Sequence, residues 1–240
     1  MKKIFITLTI LCLALNAMAV DLPKQGFGLQ IGFARPILRL NDPSVNPKDS
    51  LVNLTTMNGI KIGLVYDASF IAGFGSSMGI NYTFAGGQSS WRKENEKNIA
   101  DHPRIRDKVL YHEMEIFVDW QYKFEVAKET YLMLYTGPTI QCGLAFKAKT
   151  ERQEDFGAPI TTTQYNRYNN ERPNYDLQRL NVTWGIGAGF QYQRYFLRGG
   201  YDFGLLNPYK NKQFEGIDRK TRGRLDQWSI KIGMYLWYND

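Results

Sequence analysis

From Val109 to Tyr122 the chain alternates. Leu110, His112, Met114, Ile116, Val118, Trp120 and Tyr122 share one phase, and Tyr111, Glu113, Glu115, Phe117, Asp119 and Gln121 share the other. A period of two is that of a β-strand, whose successive side chains point to opposite faces. One face here is apolar and the other carries three carboxylates. A strand with hydrocarbon on one side and a polar barrel lumen on the other has this pattern.

Seven further stretches repeat it, and together they predict strands over Gly26–Leu40, Gly59–Ala68, Phe74–Ala85, Val109–Tyr122, Tyr131–Phe146, Leu177–Tyr192, Tyr195–Leu206 and Leu225–Tyr238. In the first, Arg35 and Arg39 fall on the apolar phase. Either Pro36 marks a bulge that resets the phase, or that end stands above the lipid. Pro138 suggests a bulge in the fifth. Long polar connections fall near 41–57, 86–108, 147–176 and 207–224. Short ones fall near 69–73, 123–130 and 193–194. Eight strands joined alternately by long and short links predict an all-β fold, an eight-stranded antiparallel up-and-down transmembrane β-barrel with both termini on the periplasmic side. In lipid the edges cannot stay open, so the sheet must close.

Alternation alone does not say which face points inward, since a lipocalin-like soluble barrel would reverse it. Three features decide for lipid outside. The glycine-rich, charged face suits the narrow interior of eight strands. The apolar faces carry almost no mid-strand charge, where an Arg or Lys would cost roughly 2–4 kcal/mol in lipid. Aromatic residues gather at two levels: Tyr66, Phe74, Trp120, Tyr122, Tyr192, Tyr195 and Tyr238 at one rim, and Tyr82, Phe84, Phe146 and Trp228 at the other. Such girdles belong to membrane barrels.

The leader changes the picture most. Lys2 and Lys3, then the apolar Ile4–Leu15, then Ala17-Met18-Ala19 make a secretory signal over 1–19, with the barrel domain over 20–240. Cys12 leaves with it, so Cys142 stands alone and no internal disulfide is expected. Later on, no stretch of about 18 apolar residues offers a helical anchor. The predicted address is the bacterial outer membrane. Losing two lysines lowers the formal charge from +7 to +5. That modest excess fits outer-membrane lipid and lipopolysaccharide as partners, and an envelope protein partner is also open. Nucleic acid is disfavoured because the basic residues are interspersed with acids.

The signal peptide, the eight strands and the stretches Tyr135-Thr136-Gly137-Pro138 and Gly185-Ile186-Gly187-Ala188-Gly189-Phe190 resemble the PorT-like family of small outer-membrane β-barrel proteins. The resemblance covers nearly all of the mature chain. It implies a non-enzymatic envelope role, in structure, surface binding or as an accessory to protein secretion.

Nine charged residues are expected to point inward: Lys61, Asp67, Glu113, Glu115, Asp119, Arg179, Arg198, Asp202 and Lys231. Isolated charges in a tight lumen are costly, so a paired plug is expected. An ion path through the network is the sharper alternative. A rim enzyme acting on lipid or peptide is the rival class; it would draw on His102 or His112 with Asp101, Asp107 or Ser90. Two histidines and one outward cysteine are too few for a zinc site, so no metal and no cofactor is expected.

Overall fold

A computed structural model describes residues 25–40, 56–71, 73–93, 104–154, 158–169, 177–209 and 223–239. The expected leader over 1–19 and His102 lie outside the described residues. Ten strands form one sheet: β1 Gln25–Leu40, β2 Asn58–Ile71, β3 Phe74–Gln88, β4 Arg92–Lys93, β5 Arg104–Ala127, β6 Thr130–Gln153, β7 Ile160–Asn166, β8 Leu180–Tyr192, β9 Tyr195–Gly204 and β10 Gly223–Asn239. Eight close a ring in the order β1-β2-β3-β5-β6-β8-β9-β10, and β10 pairs back to β1. Every pairing is antiparallel. The two remaining strands, β4 and β7, flank the outer halves of β5 and β6.

The hairpins after β2, β5 and β8 lie at one end with Gln25 and Asn239, and the strand ends that lead into the longer connections lie at the other. The turns are tight. Ala127 pairs with Thr130 around Glu129 at φ 57°, and Tyr192 pairs with Tyr195 around Gln193 at φ 51°.

Burial is inverted relative to a water-soluble barrel. Ile116, Ile186 and Ile232 are 55%, 57% and 58% exposed on the outside, while Lys61, Glu115 and Arg198 are 1%, 3% and 1% exposed within. The outer surface from Tyr122 to His112 on β5 is apolar. Those roughly ten residues rise about 33 Å along the strand, or about 25 Å once tilted, which is the height of a membrane barrel's apolar band.

Pairing corrects several expected details. Pro36 pairs in register with Gln227, so no bulge resets β1, and Arg35 and Arg39 point outward above the apolar band. Pro138 likewise sits in an unbroken register opposite Trp184. The irregularity in β6 is instead at Leu144, which the pairs His112–Ala145 and Glu113–Gly143 leave over. That extra residue turns Phe146 inward, against Tyr111 and Tyr168 with ring centroids 5.4 and 6.3 Å away, so it leaves the girdle. A register shift between β1 and β10 does the same near the chain's end, where the pairs Phe27–Trp237 and Gly28–Tyr235 leave Leu236 of β10 over: Tyr238 stacks on buried Tyr235, and Trp237 joins the girdle in its place. The sixth predicted strand starts pairing at Leu180 rather than Leu177. β5 and β6 run to 24 residues each, well past the expected limits.

Candidate functional site: a filled lumen beneath an outer wall

The lumen is layered. Near the turn end Asp67 on β2 is the hub. Arg198 of β9 donates Nη2 to both its oxygens at 2.9 and 2.7 Å, Lys123 of β5 reaches it at 3.2 Å, and the Tyr235 hydroxyl donates to it. Arg198 also donates to Ser77 Oγ at 2.6 Å, and Lys123 to Gln191 Oε1 at 2.9 Å. One layer further out, Lys61 grips Glu115 at 2.7 and 2.8 Å, and Asn81 donates to the same carboxylate at 2.6 Å. Gln227 bridges Glu115 and Glu113, each at 3.3 Å, and the Tyr111 hydroxyl donates to Glu113. Lys231 lies over the Phe117 ring at 5.2 Å and feels Glu115, Asp119 and Asp202 without touching them.

Eight of the nine charged residues expected inside are therefore on the inner wall. Arg179 is the exception. It precedes the first paired residue of β8, is exposed, and donates to the carbonyls of Gly143 and Leu144 at 3.2 and 2.9 Å, with its guanidinium 5.0 Å from the Tyr168 ring. Lys123 takes its place in the lumen. It continues the phase of Asp119 and Gln121, and extending that alternation by one step past Tyr122 would have found it.

Apolar clusters fill the lumen among and above the charges. Val65, Phe117, Met133, Phe196 and Tyr235 pack in the turn-side half. At the outer mouth, Leu38, Met57, Tyr111, Phe146, Leu177 and Tyr209 close over the charged belt together with Tyr168. Arg167 and Tyr168 belong to the segment after β7 that tucks into this mouth. Arg167 accepts the Leu177 amide, its amide bonds the Phe146 carbonyl, and its guanidinium stacks 5.0 Å from the Phe146 ring. A Cβ at Gly143 would overlap the Tyr168 hydroxyl, so glycine there is what admits the plug.

The expected connections near 86–108 and 147–176 are in part sheet. Arg104–Lys108, Lys147–Gln153 and β7 extend the barrel wall above the apolar band. Its outward face carries Arg104, Arg106, Lys108, Lys147 and Lys149 against the single acid Glu151. Lys108, Arg106 and Lys149 surround that carboxylate at 2.8, 2.5 and 3.1 Å. Their hydrogen bonds, Lys108 first, hold its pKa down at about 2.

His112 sits in the outer girdle. Its Nδ1 is 2.5 Å from the Tyr82 hydroxyl and its ring lies 4.9 Å from that of Phe84. Asp107 lies on the opposite face of the same strand, bonded to Thr150, so the two do not converge. Among the described residues no three His, Cys, Asp or Glu side chains gather as metal ligands.

No protein-family model matches the sequence, and no curated protein matches it. Solved structures share the architecture. Ail, the attachment invasion locus protein of Yersinia pestis, is 14% identical over 89% of this chain and 99% of that one, with a TM-score of 0.40. Neisserial surface protein A is 12% identical over 88% and 97%, with a TM-score of 0.40. The N-terminal β-barrel domain of Pseudomonas aeruginosa OprF is 12% identical over 88% and 99%, with a TM-score of 0.25. The barrel assignment stands on the strand register itself rather than on these likenesses.

Proposed function

We propose that this chain is a non-enzymatic integral protein of the bacterial outer membrane, exported by the leader at 1–19, whose lumen is a structural plug and whose work is done at its outer surface. The observation that carries this is the inverted burial: large apolar side chains face out on every strand of the ring while Lys61, Asp67, Glu115 and Arg198 are enclosed and paired. Free charges at such depth would cost many kcal/mol, so their pairing fixes shape rather than leaving groups free for chemistry. Aromatic packing among the charged layers and again at the outer mouth supports a closed plug over an ion path. The resemblance to PorT-like proteins extends the proposal to an accessory part in an envelope or secretion assembly.

The test is reconstitution of the full chain in planar bilayers. The expected result is insertion without conductance steps. Discrete steps lost on Glu115→Gln or Arg198→Gln would overturn the plug and favour a narrow pore. Pull-down from native outer membranes in mild detergent addresses the accessory role separately.

A further inference from the structure

A hollow of about 530 Å3 opens on the outward side of the wall, immediately above the outer girdle. Lys108 and Leu110 of β5, Lys147 and Lys149 of β6 and Gln164 of β7 line it. The tip of β3 contributes Gly86 and Gly87; Gly86 shares the outward phase of Leu110, and its missing side chain leaves the space open. Lys108 stands directly opposite Lys149, and Leu110 opposite Lys147. Two lysines facing each other across a strand pair are unfavourable unless an anion joins them. Glu151 does this in part, at 2.8 Å from Lys108 and 3.1 Å from Lys149. Lys147 is exposed and makes no ion pair among the described residues.

The height of the hollow says what kind of anion belongs there. Leu110 and Lys108 lie two and four residues outward of His112, or about 7 and 13 Å along the strand. With the tilt of a membrane barrel that is about 5 to 10 Å above the edge of the apolar band, the level of lipid headgroups. The hollow is cationic where it meets water and apolar, through Leu110, where it meets the band below. A soluble anion needs only the first property, whereas a phosphorylated amphiphile uses both.

We propose that this hollow binds the phosphate of an outer-leaflet glycolipid, between Lys108, Lys147 and Lys149, with an acyl chain running down over Leu110. The proposal rests on the outer-membrane reading above and assigns that surface a specific ligand. Glu151 presets Lys108 and Lys149 and also competes with the phosphate for them.

The experiment uses the full chain in phosphatidylcholine nanodiscs doped either with lipid A bearing both phosphates or with the dephosphorylated lipid of the same acylation. Lipid retained on the purified protein is measured by native mass spectrometry. The phosphorylated form is expected to be retained preferentially. The Lys147→Gln/Lys149→Gln variant should lose about tenfold of that preference, as expected for removing charge-assisted hydrogen bonds. Equal retention of the two lipids, or an unchanged preference in the lysine variant, overturns the proposal. Displacement of the lipid by millimolar inorganic phosphate alone would also overturn it, by making the hollow a free-anion site. Failure of the chain to insert into the nanodisc at all is a different outcome, since it removes the membrane reading rather than this ligand.

Discussion

Replacing Asp67 with Asn tests the lumen most directly. The carboxylate holds two enclosed cations, Arg198 and Lys123, whose side chains are 2% and 4% exposed. Asparagine keeps the size and removes the charge. Its amide also turns N–H donors toward groups that can only donate. Each cation lies about 3 Å from the carboxylate, and at an effective dielectric constant near 20 that attraction is about 5 kcal/mol before relaxation. Ser77, Gln191 and the Tyr235 hydroxyl stay in place and soften the loss. Breaking a buried pair from one side typically costs about 3–5 kcal/mol, and this is the loss expected for Asp67→Asn. Lys123→Met should cost less, because Asp67 keeps its two-oxygen contact with Arg198. The double variant should fall short of the sum by at least about 1 kcal/mol, since the second change removes one of the two stranded cations. Urea unfolding in lipid vesicles, followed by tryptophan fluorescence, measures all three. A loss below about 1 kcal/mol for Asp67→Asn, or strict additivity in the double variant, would refute the reasoning that this triad is dry and mutually dependent.

Three further outcomes follow from the same geometry. Ile116→Lys, at the middle of the outward face, should destabilise the protein by roughly 2–4 kcal/mol in vesicles; a change within about 0.5 kcal/mol, as at an ordinary wetted surface, would mean that water covers that face. Gly143→Val should expel the Tyr168 ring from the mouth, and a cysteine-reactive probe at the adjacent, buried Arg167→Cys should react much faster in the valine background than in the parent. Glu151 has a folded-state pKa below the ordinary glutamate value, so its contribution is fully present above that ordinary value and is lost as pH falls toward about 2. Glu151→Gln should therefore weaken amide protection in 104–108 and 147–153 at pH 6, corrected for intrinsic exchange rate, and the difference from the parent should vanish near pH 2.

Alternation made the ring legible because every spanning strand has two unlike solvents. Ile116 and Glu115 are neighbours in sequence and meet hydrocarbon and lumen respectively, so the two phases separate cleanly. What alternation cannot carry is a change of phase. Leu144 is apolar and outward, Phe146 is apolar and inward, and only the extra residue in β6 distinguishes them. The same holds for Trp237 and Tyr238 past the extra residue Leu236 in β10. Strand limits were the other blind spot. Arg179 sits just before β8 begins to pair, and Lys123 sits in β5 beyond the end of its apolar run. An apolar run marks only the span within hydrocarbon, and backbone pairing does not share its limits.

The outer wall follows from that last point. In Arg104-Ile105-Arg106-Asp107-Lys108 both faces meet polar surroundings, so no contrast marks the strand, and a polar loop is the natural reading of the sequence alone. Pairing holds it instead: β5 and β6 are already locked together by the barrel, so each further residue joins an existing ladder with no new loop to close and only its own backbone ordering to offset, with β7 adding a third strand alongside. The consequence is functional. A basic surface on a mobile loop must give up conformational freedom each time it binds. Lys108 and Lys149, fixed opposite each other on paired strands and drawn together by Glu151, have already lost most of theirs. The outer wall thereby offers a preorganised cationic face at the height of the lipid headgroups, built from the stretch of chain whose alternation is weakest.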